Sequence, residues 1–216
     1  MLTNRPVGLY IDKMVTERET QAISTRNNIL DIATQEILRC GFQSSSIGEI
    51  IKKANISKGC FYHHFSTKQA LGYAVLDETL IKMKHEMWYP ILSSDNPLQS
   101  IIEMYINPEN YLDCESVKHG CPINNLAQEM SPIDEGFRTR IENIYTQWRE
   151  QLSIALKESQ QSGKMSKDVD ADEISTLIMA VTQGAIGIAK NAQNPESFTE
   201  YTHGLLQYLQ KLKLNN

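Results

Sequence analysis

Apolar residues recur three or four positions apart along almost the whole of this chain, and the strict alternation that marks a half-buried strand is hardly found. Residues at that period share one face of a helix, so burying them requires helices packed on helices. The sequence therefore predicts an all-α protein. Its 216 residues and 41% hydrophobic content are enough for a sizeable core.

The first clear stripe is Ile29, Ala33 and Ile37, flanked by Leu30 and Leu38 and ended by Gly41, a residue type that takes a left-handed conformation without strain. Ser46 and Glu49 stand at capping-box spacing, which predicts a short helix from Ile47 to about Ala54. Asn55 and Ile56 make a turn, Ser57 caps a third helix over Lys58 to about His64, and Ser66 or Thr67 caps a fourth from Lys68. Two short helices joined by a tight turn, with longer ones before and after, make a helix-turn-helix. The expected organisation is an N-terminal arm over residues 1–21, disordered or partly helical, then a three-helix helix-turn-helix DNA-binding head over 22–71. A larger helical ligand-binding and dimerisation body follows over 72–216.

In that body the fourth helix should run towards Trp88 and stop at Pro90, Pro97 should open a fifth to about Ile106, and Pro122 a short one to about Met130. A long helix is expected from about Ile133 to Gln161, stopped by Gly163, with Phe137, Ile141, Ile144, Trp148, Leu152 and Leu156 on one face. Asp170 and Glu173 mark the start of the next, to about Ala192, and Pro195 precedes the last, from about Ser197 to Leu212.

Charge is unevenly spread. Six Lys and Arg face three Asp and Glu between residues 22 and 72, a net +3, so a chain of net charge -5 carries -8 elsewhere. A cationic head on an anionic body fits a protein that meets phosphate at one end only. Cys40, Cys60, Cys114 and Cys121 are irregularly spaced with no CxxC pair, which suits free thiols in a reducing compartment and predicts no metal site; no cofactor is expected. The first twenty residues lack an apolar signal core and no run is long enough to span a bilayer, so the expected location is cytoplasmic, without a membrane partner.

The stretch ISKGCFYHHFSTK concentrates the chemistry. A short third helix can enter a major groove with its first residues at the bases. Gly59 removes bulk where backbone must approach DNA, Tyr62 and His64 offer donors to phosphate, and Phe61 and Phe65, four apart, face inward. Lys68 sits where a helix N-terminus also favours a phosphate.

TRNNILDIATQEILRCGFQSSSIGEIIKKANISKGCFYHHFSTKQAL resembles the DNA-binding head of the TetR family, with its Gly-aromatic pair, hydroxyl-capped second helix, Ile-Ser-x-Gly turn and Tyr-x-His-Phe-x-x-Lys ending. The resemblance implies DNA contacts from Ser46, Lys58, Gly59, Tyr62, His63, His64 and Lys68. Asn55 stands where the family usually has Gly, and Cys60 where it often has Ser, Thr or Ala. Further on, HGCPINNLAQEMSPIDEGFR resembles one subgroup of the family with a Gly-Cys-x-x-x-Asn-Leu-Ala-x-Glu segment.

Ala180, Gly184, Gly187 and Asn191 lay a small-residue stripe at intervals of four, three and four, and Phe198, Tyr201, Leu205 and Tyr208 form a heptad-like seam on the last helix. Both are read as a homodimer interface, with packing inside one subunit as the competing reading. Met87, Trp88, Met104, Tyr105, Tyr111, Trp148 and Met179 are candidates to line a soft apolar ligand pocket, with Asn125 and Gln183 to orient its occupant; each also reads as plain core. Cys121, before Pro122, is expected at a helix N-cap, where the dipole would lower a thiol pKa and make it an electrophile sensor; the competing reading is core packing.

The function expected is a ligand-responsive DNA-binding transcriptional regulator, a repressor released from palindromic double-stranded operator DNA by a small-molecule or electrophile effector. The alternative is a helical sensing protein that does not read DNA. An enzyme is not expected: HEMWYP lacks the second His of a zinc-protease motif, and neither GxSxG nor a P-loop occurs.

Overall fold

The computed structural model describes residues 17–112 and 114–214, and for residues 114–116 the backbone alone. Most of the expected arm, and the side chain of Cys114, lie outside the described residues.

The head consists of α1 (Glu17–Cys40), α2 (Ile47–Ala54) and α3 (Lys58–His64). The body begins with α4 (Lys68–Ala74), which continues through a π-helical stretch (Val75–Leu80) into α5 (Ile81–Leu92). It goes on through α6 (Pro97–Ile106), α7 (Cys114–His119), α8 (Pro122–Met130), α9 (Glu135–Gln161), α10 (Ala171–Ala192) and α11 (Glu196–Leu212). A single antiparallel bridge between Met165 and Lys213 is the only extended pairing among the described residues.

The turn chemistry accounts for most boundaries. Gly41 is left-handed (φ 84°), as is Asn55 (φ 52°), which ends α2 in place of a glycine. Ser57 and Thr67 cap α3 and α4 by accepting the backbone N–H of Cys60 and of Ala70. Ser46 is the N-cap of α2, but its side chain makes no cap hydrogen bond, so the expected capping box does not close. Asp134 and Asp170 cap α9 and α10 through their carboxylates.

One expectation about helices, the stop at Pro90, is corrected, and two features carry no mark in the sequence. α1 begins at Glu17, inside the expected arm; its opening turns bury almost nothing, so no apolar stripe announces them, and Glu17 and Glu19 instead suit the positive end of the helix. α5 carries Pro90 inside it and ends at Leu92: Glu86 and Pro90 are both exposed, so water can take the carbonyl that proline leaves unbonded. The π-helical stretch was not anticipated.

Two apolar clusters build the core. The first joins Ile29, Ala33, Ile37 and Phe61 of the head to Val75 and Leu80, to Ile123 and Leu126 of α8 and to Phe137 and Ile141 of α9. The second packs α5, α6, α9, α10 and α11 around Tyr105, Trp148, Ile178 and Phe198. The expected boundary at residue 71 thus falls where the head's core runs on into the body.

Candidate DNA-binding face and effector cavity

In α3, Phe61 and Phe65 turn inward and are almost wholly buried, while Lys58, Gly59, Tyr62 and His63 on the same short helix stay exposed. The spacing dictates this split, because residues four apart share a face. Ser46, at the start of α2, is exposed beside them in the same head. A Cβ built on Gly59 would meet nothing of the chain nearer than Ser57 Oγ at 3.9 Å, so packing does not require glycine there.

His64 and Lys68 differ from the other sequence-predicted contacts in being half-buried. Burial, with His63 and Arg26 nearby, pushes the His64 imidazole down from its ordinary pKa. Lys68 Nζ donates to the backbone oxygen of Gln43 at 2.9 Å and lies 4.8 Å from the centre of the Phe42 ring. It therefore ties α4 to the turn between α1 and α2.

The head's cations are less available than their number suggests. Arg26 forms a two-pronged pair with Glu78 of the π-helical stretch at 2.5 and 2.6 Å. Arg39 and Lys53 converge on the buried Glu36 at 2.9 and 2.5 Å, and these bonds hold its carboxyl down to about 2. Lys52 and Lys58 remain exposed on the head.

In the body, a cavity of about 440 Å³ opens between α5, the end of α7, the start of α8, α9 and α10. Its wall is mainly apolar, with Met83, Met87, Leu112, Ile123 and Ile186, and includes both tryptophans of the chain, Trp88 and Trp148, whose rings lie 5.1 Å apart. Its polar lining is Lys84, Tyr111, His119, Cys121, Tyr145, Thr182 and Gln183. Two polar atoms on that wall, Trp148 Nε1 and Gln183 Oε1, are buried without a hydrogen-bond partner. Lys84 Nζ lies 4.9 Å from the centre of the Trp148 ring, and burial pushes its ammonium down to about 8.

α8 connects this cavity to the head. Its N-cap, Cys121, lines the cavity; Glu129, in its last turn, accepts the backbone N–H of Phe42 at 2.9 Å and of Gln43 at 2.7 Å. The same carboxylate lies against Gly41, where an added Cβ would meet Glu129 Oε2 at 3.0 Å.

The profile of bacterial regulatory proteins of the tetR family matches residues 29–75, and that of the tetracyclin repressor-like C-terminal domain matches residues 97–205. The chain belongs to the TetR family. It is accordingly a DNA-binding transcriptional regulator with a ligand-responsive body. Among relatives of this TetR-family protein, the HTH-type transcriptional repressor DhaR of Mycobacterium sp. (strain GP1) is 28% identical over 177 residues, 82% of this chain and 87% of that one. The transcriptional regulator AcuR of Cereibacter sphaeroides is 24% identical over 176 residues, 81% and 80% of the two chains. A TetR transcriptional regulator from Chloroflexus aurantiacus has the same fold, with a TM-score of 0.80 at 23% identity over 91% of this chain and 100% of that one. Reduced NemR of E. coli gives a TM-score of 0.74 at 24% identity over 88% and 98%.

Six of the sequence-predicted ligand residues of this TetR-family regulator line the cavity: Met87, Trp88, Tyr111, Cys121, Trp148 and Gln183. Four do not. Met104 and Tyr105 are buried in the body core, Tyr105 with its hydroxyl 2.6 Å from Thr182 Oγ1, and Met179 packs against that core. Asn125 is held outside the cavity, donating to His119 O at 2.7 Å and accepting from Lys190 at 3.0 Å. Lys84, Tyr145 and Thr182 were missed, for a polar residue on an otherwise apolar helix face carries no signal in the sequence of which neighbour it meets.

The expectation of a lowered Cys121 pKa is overturned. Cys121 is the N-cap, but burial pushes its thiol up, outweighing the backbone N–H groups of Asn124 and Ile123, Gln183 and Lys84, which act the other way. On the dimer seam, Phe198 and Leu205 are buried in the chain's own core and have no surface to offer a partner. Ala180, Gly184, Gly187, Asn191, Tyr201 and Tyr208 are exposed, and so are Leu177 and Ile188 beside the small-residue stripe.

Proposed function

We propose that the protein is a homodimeric, cytoplasmic repressor that holds a nearly palindromic operator through two copies of the head (residues 22–71) and leaves it when a reversibly bound small molecule fills the cavity of the body (residues 72–216). The observation that carries this reading is the double attachment of α8, which lines the cavity at Cys121 and grips the head's first turn at Glu129. An occupant that displaces the start of α8 would act directly on the segment between α1 and α2. The relative named a repressor, DhaR, favours repression over activation. The Gly-Cys-x-x-x-Asn-Leu-Ala-x-Glu segment, over Gly120 to Glu129, spans this connection from end to end. A half-buried Cys121 whose thiol is pushed up favours a reversible ligand over an alkylating one.

On the DNA side, Ser46, Lys58, Gly59, Tyr62, His63, His64 and Lys68 contact the operator. The exposed apolar face of α10 and α11, with Leu177, Gly184, Ile188, Tyr201 and Tyr208, supplies the contact between subunits. Footprinting of the full-length protein on the DNA upstream of its own gene tests the reading. The expected result is a protected, two-fold symmetric site whose affinity falls steeply with salt. Binding with equal affinity to unrelated duplexes would overturn it.

A further inference from the structure

Among the described residues the cavity in the body carries a charge of one sign: Lys84 is the one lysine or arginine on its wall, and none of the described lining residues is a carboxylate. Among the described residues Lys84 has no ion-pair partner; its ammonium rests against the Trp148 ring, and the one titratable neighbour that bears on it is Cys121, a thiol itself pushed up by burial. Beside it, Trp148 is 2% exposed, yet its indole N–H, which can only donate, has no acceptor. On the α10 wall Gln183 Oε1, which can only accept, has no donor.

Each vacancy is costly in a lining this apolar. A buried donor or acceptor without a partner costs about 1–3 kcal/mol, and a desolvated cation more. These two donors require an acceptor, and beside a cation the strongest acceptor is an anion. The volume, about 440 Å³, leaves room for a sizeable apolar remainder against Trp88, Met87 and Ile186.

We infer that the cavity takes a small apolar carboxylic acid as its anion, with the carboxylate seated between the Lys84 ammonium and the Trp148 indole N–H, and with Gln183 Oε1 reading a donor group where the ligand has one. This inference rests on the cavity being the effector site and names the chemistry of the effector. It carries a pH signature of definite sign. The site pairs a carboxylate with a protonated amine, so affinity is full between the acid's own ionisation, about 4–5, and about 8, and falls as pH rises through the latter value. Cys121 at the head of α8 and Tyr145 on α9 are both pushed up by burial and stay uncharged in that range. Tyr111 and His119 are the other titratable groups on the wall among the described residues.

Both tryptophans of the chain line the cavity, so intrinsic fluorescence reports occupancy without a label. The full-length protein would be titrated with octanoate and phenylacetate, each beside its uncharged amide, octanamide and phenylacetamide. At least one acid should shift the emission saturably and bind at least about tenfold tighter than its amide, the size expected of one charged hydrogen bond. Lys84→Met should abolish that preference and the loss of affinity above pH 8, whereas Lys84→Arg, which keeps the charge, should retain the preference. Circular dichroism of both variants checks folding. Amides that bind as well as acids, or an unchanged preference in folded Lys84→Met, would overturn the assignment. The same titrations followed by DNA release separate the two readings. Uncharged ligands that release DNA while acids neither bind nor release sink the carboxylate and keep the effector site. Acids that bind with the expected preference but leave the operator complex intact keep the carboxylate site and sink its role as effector site.

Discussion

Gly59 and Lys68 lie nine positions apart in the head and make opposite predictions. A methyl group on Gly59 would meet only Ser57 Oγ, at an ordinary contact distance of 3.9 Å, so Gly59→Ala should fold at least as well as the parent and gain up to ~1 kcal/mol from helix propensity. If backbone approaches DNA there, the same variant should bind operator at least about tenfold more weakly, a cost of ~1.4 kcal/mol. Thermal melts and operator titrations read the two effects separately, and unchanged affinity removes Gly59 from the contact face. Lys68→Ala should lose on both counts. The hydrogen bond to Gln43 O and the Phe42 contact place its stability cost at about 1–2 kcal/mol, while loss of a phosphate contact should flatten the log-log salt slope by about one unit. A lowered melting point with an unchanged slope would make Lys68 purely a strut. Residue identity in the head was legible in the sequence because phenylalanines four apart define the inward side and leave the rest outside. The cavity was legible only in part. Trp148 and Gln183 sit on faces whose period marks them as buried, but not whether they border a void or a neighbour, and the balance of burial against helix dipole at Cys121 depends on side chains from four other helices.

Helix starts written in the sequence by a proline or a capping carboxylate came out at the expected residues: α6 and α8 begin at Pro97 and Pro122, and α10 runs from its Asp170 cap to Ala192. Pro90, inside α5, did not end its helix, and the π-helical stretch carried no mark at all. The π-helical stretch Val75–Leu80 has no compositional signal; its register is set by partners distant in sequence, with Glu78 on Arg26 of α1 and Asp77 on Arg140 of α9. That stretch and α8 are thus two attachments between head and body, one through the Arg26–Glu78 ion pair and one through Glu129. Exposed ion pairs contribute little, whereas a carboxylate that satisfies two backbone N–H groups in a turn is worth more. Glu129→Gln keeps the shape and replaces two charge-assisted bonds by one neutral one. It should cost about 1–2 kcal/mol of stability, seen as a lower midpoint in urea, and should raise the ligand concentration needed to release DNA. Ligand binding to the cavity itself should be nearly unchanged. An unaltered release curve in the folded variant would mean that α8 does not carry the signal and that the π-helical stretch does.

At the scale of the molecule, the +3 head and -8 remainder become a functional geometry only when two heads are held at a fixed separation. The second core cluster closes α10 and α11 onto α6 and α9 on their inner sides, which is where Phe198 and Leu205 go. Their outer sides then keep Leu177, Ile188, Tyr201 and Tyr208 in solvent around glycines 184, 187 and 204, where an added Cβ would meet nothing of the chain. Large apolar residues around bare backbone are costly to leave wet and suit the close approach of a second pair of helices. The sequence spacing could not separate the inner side from the outer, because both repeat every three or four residues. Gly184→Trp places a large side chain in the middle of that surface without disturbing the subunit's own packing. It should leave the melting of the isolated subunit intact but raise the dimer dissociation constant at least about tenfold by sedimentation, a cost of ~1.4 kcal/mol. Operator affinity should fall with it, because half-sites about one helical turn apart, ~34–36 Å or a multiple, gain their joint affinity only from linked heads. If the variant sediments as the parent does, the heads are joined through another face and the spacing of the operator must be derived from that one.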